Sequence, residues 1–215
     1  MNKLYALILS MLAVLALSTS CGKKAVQETG PAPAEYQVLL QTTKGDIVVA
    51  VHRDWAPLGA DRFYELTKMG YYDGDRFFRA LRGFVVQFGM NGDPKVNKDW
   101  SAMSIKDDPP KVSNKPGTVT FATSGPNSRA AQVFINIGDN SRLDDQGFTP
   151  FGEVTQGMQN VQNVYMDYGD GPPTGNGPDQ AAIADIGNPY LEEHFPKLDY
   201  IKTARVLPAT SSSGK

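Results

Sequence analysis

Arg79 and Gln87 are the two residues whose types and spacing are best suited to chemistry. Strand alternation places both on one side of their segment, together with Val85. Gly83 can bend this strand and turn Phe84 toward the same side. A cation and an amide then share an apolar surface. A guanidinium in that setting can form charge-assisted hydrogen bonds to a bound group.

The same arginine has a simpler interpretation as part of a solvated face. Arg76, Arg79 and Arg82 recur every three residues, as charges on an ordinary polar surface do. Spacing alone does not decide between a functional and a solvated arginine. A cysteine nucleophile is not indicated, because the single cysteine, Cys21, lies near the N-terminus with no histidine-rich constellation around it.

Phe134 departs from the polar character of its own strand face. Alternate residues from Val133 to Ile137 form one wholly apolar face, as a core-facing strand requires. Phe134 therefore faces the other way, on a polar face with Gln132 and Asn136. A single aromatic in such a place is often an ordinary surface residue. Together with the arginine it indicates a binding surface outside the core.

The composition indicates one folded unit with an uncharged or weakly charged partner. The chain has 215 residues, of which 40% are hydrophobic, enough for one sizeable core. Lys plus Arg total 21 and Asp plus Glu total 23, so the net charge of −2 gives no electrostatic reason to expect nucleic acid. With one cysteine, neither a disulfide within the chain nor a cysteine-based zinc site is expected.

The N-terminal residues predict export. Lys3 precedes the apolar run Leu4–Leu17, and small residues then lead to Cys21, which predicts a signal peptide over residues 1–20. Residues 21–35 are polar and contain proline and glycine, which is typical of a tether. Cys21 resembles the lipid-modified cysteine of bacterial lipoproteins, although Ser18 stands where those signals usually have a large aliphatic residue. We expect a periplasmic or cell-envelope protein anchored to the membrane through Cys21, with cleavage to a soluble exported protein as the alternative.

Hydrophobic patterning predicts a β-barrel or sandwich with one or two helices. Alternation on both sides of Lys44-Gly45-Asp46 predicts a β-hairpin. A helix that Asp54 can cap follows, with Ala60, Phe63 and Leu66 at helical spacing. The remaining predicted elements are strands at Arg76–Phe88, Gly117–Thr123, Gln132–Ile137, Phe151–Val154 and Tyr200–Leu207, a helix at Met158–Met166 and a long loop at Tyr168–Pro178.

Three ordered segments resemble the signatures of the cyclophilin family. Phe77–Gly89 resembles the first signature, Phe121–Asn127 followed by Gln132–Ile135 resembles the second, and Leu143-Asp144 with Phe151–Val154 resembles the third. The resemblance implies a mainly β fold, a closed eight-stranded antiparallel β-barrel capped by two α-helices. This domain would cover residues 36–207, followed by a flexible tail at residues 208–215.

The same resemblance implies peptidyl-prolyl cis/trans isomerase activity on proline-containing polypeptides, with no cofactor and no metal. Matched position by position, Arg79 takes the place of the catalytic arginine. The proline-pocket positions are Phe84, Val85, Phe134 and Leu143, and Phe148 aligns with a position that is histidine in many eukaryotic members. The substrate-orienting positions are Gln87 and Gln132, and Ala122 with Thr123 match the strand that pairs with the substrate backbone.

The chain departs from the family pattern at several positions, none of which removes a catalytic group. Phe78 stands where the family usually has histidine, Val85 replaces a more usual methionine, and Thr123 replaces asparagine. We expect a monomer that assists the folding of exported proteins. Two other classes stay open: a proline-segment-binding chaperone or scaffold of the cell envelope with little turnover, and a structural envelope lipoprotein.

Overall fold

The computed structural model describes residues 30–208, so the predicted signal peptide, Cys21 and the tail from residue 209 lie outside the described residues. The strands are β1 (Glu35–Thr42), β2 (Gly45–His52), β3 (Arg79–Ala80), β4 (Val85–Phe88), β5 (Thr118–Phe121), β6 (Val133–Asn136), β7 (Pro150–Gln156) and β8 (Ile201–Val206). The helices are α1 (Pro57–Lys68), α2 (Pro94–Ser101), α3 (Met158–Gln162), α4 (Gln180–Ile186) and α5 (Asn188–His194), and a 3₁₀-helix covers Ser141–Gln146.

The eight strands form one antiparallel sheet in the order β3-β4-β6-β5-β7-β2-β1-β8, and this sheet does not close. The predicted closed barrel is therefore wrong, and the sheet is an open half-barrel. Near the gap between β3 and β8, a single bridge pairs Arg76 with Tyr200, and the Phe77 N–H donates to the Asp199 carbonyl at 3.0 Å. Because β3 has only two residues, it is too short to offer β8 a ladder of hydrogen bonds.

Aromatic and aliphatic side chains fill the interior of the half-barrel. Phe63 of α1 contacts Tyr72 and Phe151, with ring centroids 5.4 and 5.0 Å apart. Alternate residues of the strands, such as Val38 and Leu40 of β1, complete the same buried cluster. Fully burying one such side chain stabilises the fold by roughly 1.5–3 kcal/mol. The packed interior leaves the outer face of the sheet as the place for a binding site.

Helix α1 forms where its apolar spacing predicts it, but its N-terminus is not capped by Asp54. The residue at the cap is Ala56, which makes no side-chain cap. The carboxylate of Asp108 instead accepts from the Leu58 N–H at 3.1 Å and the Gly59 N–H at 2.9 Å. Arg129 pairs with this carboxylate at 3.0 Å. A remote acidic residue thus satisfies the free N–H groups of the first turn.

Two helices were expected, whereas residues 30–208 contain five α-helices and a 3₁₀-helix. The helix predicted at Met158–Met166 covers only Met158–Gln162. Helices α4 and α5 have seven residues each, too few to reveal a helical period in the sequence. They pack on a second apolar cluster formed by Phe78, Met90, Ile183, Leu191 and Leu198. Within the described residues, no helix combines the length and apolar character needed to span a membrane.

Asp75 lies beside the gap in the sheet and is fully buried. Its carbonyl accepts from the Ile201 N–H at 2.9 Å, and its Oδ2 accepts from the Gly89 N–H at 2.7 Å. The other carboxylate oxygen, Oδ1, has no hydrogen-bond partner among residues 30–208. Burial raises the pKa of Asp75 from 3.8 to about 8, although the Gly89 hydrogen bond acts to lower it.

We predict that Asp75 makes the folded state less stable as the pH rises toward 8. The pKa of Asp75 is higher in the folded state than in the unfolded state. The stability that the protonated carboxyl allows is therefore fully present below the unfolded pKa and is lost as the pH rises through the folded pKa. The melting temperature should therefore fall by several degrees between about pH 5 and about pH 9. In Asp75→Asn this fall should be smaller, whereas the exposed control Asp185→Asn should keep the wild-type profile. Equal pH profiles for all three proteins would contradict the prediction.

Candidate active site

A cavity of about 680 Å³ lies on the outer face of the sheet, over β3, β4 and β6. All ten residues predicted for the site in the folded domain line it: Arg79, Phe84, Val85, Gln87, Ala122, Thr123, Gln132, Phe134, Leu143 and Phe148. Residues of α2 and α4 also line it, and the sequence did not indicate them. The structure thus brings the predicted residues of the folded domain together in one place.

Arg79 and Gln87 meet because the chain reverses between them. The segment predicted as one strand, Arg76–Phe88, is a hairpin in which Gly83 has a φ of +70° at the turn. The hairpin pairs Arg79 with Gln87 across its two strands. The Arg79 Nη1 donates to the Gln87 Oε1 at 3.2 Å. The two side chains share a face, as expected, but through cross-strand pairing rather than alternation along one strand.

The apolar part of the cavity is a small cluster separate from the barrel core. Its buried members are Val85, Phe134 and Leu143, and Phe84, Ala122 and Phe148 pack against them. Gln87 and Phe134 are partners in the β4–β6 ladder, so both project from the outer face. The Phe134 and Phe148 rings lie 5.8 Å apart in an edge-to-face arrangement. This pocket has the size and chemistry to hold a compact apolar ring.

Buried amides support this pocket from below. Asn114 Nδ2 donates to the Asp144 Oδ1 at 2.8 Å and to the Phe148 carbonyl at 2.7 Å. Its Oδ1 accepts from the Thr120 hydroxyl at 2.8 Å and from the Asn136 amide at 3.2 Å. One amide therefore joins strands β5 and β6 to the segment that carries Leu143 and Phe148.

A chain of polar side chains runs along the other side of the cavity. Asp170 accepts from Arg79 twice, from Nε at 2.8 Å and from Nη2 at 3.1 Å. Beyond Arg79, the Gln87 Nε2 donates to the Gln132 Oε1 at 2.8 Å, and the Gln132 Nε2 donates to the Gln180 Oε1 at 3.4 Å. The Arg79 guanidinium holds the pKa of the Asp170 carboxyl below its ordinary value, so this carboxyl is ionised at neutral pH.

Two arginines flank the ring of Phe84 at the mouth of the cavity. The guanidinium carbon of Arg79 lies 5.6 Å from the ring centroid, and that of Arg142 lies 4.9 Å from it. Both distances are within the range of cation–π attraction. The aromatic ring thus connects the apolar pocket to the charged edge.

The backbone beside the pocket is shaped by Ala122, Thr123 and Gln132. The Ala122 N–H donates to the Gln132 carbonyl at 2.9 Å, which extends the pairing of β5 and β6 past its regular end. The Thr123 hydroxyl accepts from the Gly125 N–H at 3.1 Å and lies 2.7 Å from the Ser128 hydroxyl. The Thr123 side chain therefore stabilises the turn that forms this wall of the cavity.

The sequence did not point to Asp170, Asn114 or Gln180. Asp170 lies in a Gly- and Pro-rich segment that predicts only a loop, and Gln180 opens a helix that was not expected. Asn114 follows a cluster of prolines and carries no pattern of its own. Within the described residues, no group of three or more His, Cys, Asp or Glu side chains is arranged to hold a metal ion.

Comparisons of the sequence with family models and with curated proteins agree on one family. The family model described as cyclophilin type peptidyl-prolyl cis-trans isomerase/CLD matches residues 37–181. A peptidyl-prolyl cis-trans isomerase of Dictyostelium discoideum is 37% identical over 136 residues, which make up 60% of this chain and 85% of that protein. One from Acinetobacter baylyi is 32% identical over 137 residues, which make up 61% of this chain and 72% of that protein.

Solved structures show the same fold. The crystal structure of a cyclophilin type peptidyl-prolyl cis-trans isomerase from Cryptosporidium parvum has a TM-score of 0.57 and 20% sequence identity, and the match covers 81% of this chain and 98% of that one. A second structure of that protein, obtained in the presence of the dipeptide Ala-Pro, matches with the same TM-score and identity over 80% of this chain and 99% of that one.

We predict that Asn114→Ala destabilises the protein by roughly 3 kcal/mol, because it leaves several buried polar groups without partners. Urea unfolding measures this loss. The exposed control Asn163→Ala should stay within about 0.5 kcal/mol of the wild type. An Asn114→Ala protein as stable as the control would contradict the role assigned to this amide.

Proposed function

Because the chain belongs to the cyclophilin-type peptidyl-prolyl cis/trans isomerase family, we propose that it accelerates rotation about X-Pro bonds in exported polypeptides, with Arg79 stabilising the twisted bond. Its family makes it an enzyme, a peptidyl-prolyl cis-trans isomerase. The observation that carries the role of Arg79 is its position: it lines the same cavity as the apolar pocket and lies over the ring of Phe84.

The reaction needs no covalent step. Amide resonance opposes rotation about the X-Pro bond with a barrier of about 20 kcal/mol. In the twisted transition state the proline nitrogen regains its lone pair, so a positioned guanidinium N–H can bind that nitrogen or hold the carbonyl that rotates. A charge-assisted hydrogen bond worth about 1.5–3 kcal/mol supplies roughly one to two powers of ten in rate.

The remaining residues hold one part of the substrate in place while the part on the other side of the X-Pro bond rotates. The proline ring enters the cluster of Val85, Phe134 and Leu143, where burial of apolar surface holds it. Gln87 and Gln132 bind the flanking peptide. Desolvation in this pocket weakens the planar ground state, which is the more polar one. The structure of the Cryptosporidium parvum relative obtained with Ala-Pro supports a proline-containing substrate for this cavity.

The leader sequence supports a place outside the cytoplasm. The apolar run Leu4–Leu17 and the following small residues are those of an export signal. Lipid attachment at Cys21 would leave the folded domain on a tether at the membrane surface, where it meets proline-containing segments of newly exported chains. On this proposal the domain works as a monomer.

We predict that Arg79→Ala reduces kcat/KM for a proline-containing peptide by roughly ten- to hundredfold while the protein stays folded. Arg79→Lys should restore little, because an ammonium group lacks the planar fork of donors. The control is Arg82→Ala, since Arg82 is exposed and pairs with Asp167 outside the cavity. A well-folded Arg79→Ala protein with near-normal catalysis would refute the assigned role, and a proline-binding protein with little turnover would then be favoured.

The anchor at Cys21 has a separate test. In cells that process lipoproteins, we expect the mature protein to begin at Cys21 and to carry a diacylglyceryl group there, and Cys21→Ser should release the domain from the membrane fraction. Mass spectrometry of the mature N-terminus measures this directly. An unmodified Cys21 in the mature protein would refute the anchor and leave a soluble exported enzyme.

A further inference from the structure

We propose that Asp170 is a positioning residue for isomerisation, which grips one edge of the Arg79 guanidinium and leaves the other donors to the substrate. This inference rests on the proposed role of Arg79. It adds a residue that the sequence did not indicate, from a segment that predicts only a long loop.

The hydrogen bonds of Arg79 show how the grip works. A guanidinium has five N–H donors in one plane. Asp170 takes two of them, one on Nε and one on Nη2, and Gln87 takes one on Nη1. Two donors remain, one on each terminal nitrogen. Contacts on two different edges fix the plane of the group, so the remaining donors have a defined direction before a substrate binds.

Asp170 is itself held by its own loop. The Gly171 N–H donates to the Asp170 Oδ1 at 3.0 Å, and the Gly177 N–H donates to the Asp170 carbonyl at 2.8 Å. A Cβ atom at Gly175 would overlap that carbonyl oxygen. The glycines of this segment therefore allow the backbone to pack closely around Asp170.

Both ends of this loop are attached to the second apolar cluster. The ring of Tyr168 lies 5.0 Å from that of Phe195, in an edge-to-face contact. At the other end, the Asp179 N–H donates to the Tyr190 hydroxyl at 3.2 Å, and the Asp179 side chain caps α4. Asp170 therefore projects from a segment that is fixed at both of its ends.

The ion pair between Arg79 and Asp170 contributes little to the stability of the fold. The side chains of Arg79 and Asp170 are 22% and 30% exposed, and pairs at such sites are screened by solvent. A weak contribution to stability together with a bidentate geometry is what a positioning contact requires. Removal of the Asp170 carboxylate should change the orientation of the Arg79 guanidinium far more than it changes the free energy of unfolding.

The test compares Asp170→Asn with a matched control on the same stretch of chain. Asp167→Asn removes a similar contact, an ion pair with Arg82 at 2.6 Å, three residues away and outside the cavity. For a proline-containing peptide we expect Asp170→Asn to lower kcat roughly tenfold with KM within about twofold of wild type. Asp167→Asn should leave both values unchanged.

The split between kcat and KM separates positioning from a structural role. If Asp170 only holds the wall of the cavity, its removal raises KM or lowers the melting temperature and leaves kcat unchanged, which would overturn the proposal. Asp170→Glu, which keeps the carboxylate, should recover part of the lost kcat. No recovery by Asp170→Glu, with a normal melting temperature and intact binding, would count against a role for the carboxylate.

Arg79→Ala, measured in parallel, distinguishes a failure of the role proposed for Asp170 from a failure of the function proposed for Arg79. If Arg79→Ala loses activity as predicted and Asp170→Asn is fully active, only the role of Asp170 is refuted. If Arg79→Ala is fully active, the proposed function of Arg79 is refuted, and the role of Asp170 falls with it. If both variants lose kcat, Asp170→Asn should cause no further loss in the Arg79→Ala background, because it acts through that guanidinium.

Discussion

The packed interior of the half-barrel determines where chemistry can occur in this protein. Val86 and Phe88 of β4 point into the core, so their neighbours Val85 and Gln87 must point outward. The β4–β6 register then places Phe134 opposite Gln87 on that outer face. A slip of one residue would exchange core and site residues, so the hydrophobic core enforces the geometry of the cavity.

Two separate groups of side chains support the outer face of the sheet. The Asn114 network holds the apolar end of the cavity, and the second apolar cluster holds the charged end. Phe78, the residue before Arg79, is buried in that second cluster with Ile183 of α4. The segment between α3 and β8 is thereby fixed against the sheet, which brings Gln180 to the cavity wall and Asp170 against Arg79.

Local patterns predicted most strands and the first helix, because strand alternation and helical spacing are properties of neighbouring residues. They failed where the decisive contact is remote in sequence. The acceptor at the start of α1 is Asp108, 50 residues after Leu58, and Asp170 meets Arg79 across 91 residues. The closed barrel, which the family resemblance implied, also failed as a prediction, because β3 has only two residues and offers β8 no ladder of hydrogen bonds.

The hairpin explains why a prediction made for the wrong reason still placed two residues correctly. Positions 79 and 87 are separated by an even number of residues, so alternation along one strand puts them on the same side. In the structure they are direct partners across a turn, which also puts them on the same side and brings them into contact. Only the second arrangement lets Gln87 bind the guanidinium and fix its plane.

The charge balance at this site bears on how Arg79 acts. Asp170 compensates much of the positive charge of the guanidinium, and the X-Pro bond itself carries no net charge. A bare positive charge would attract any carbonyl in the substrate, including those that must stay free to turn. In the role proposed for Arg79, a compensated guanidinium with two directed donors would act instead through geometry, as preorganised hydrogen bonds do when they bind a transition state better than a ground state.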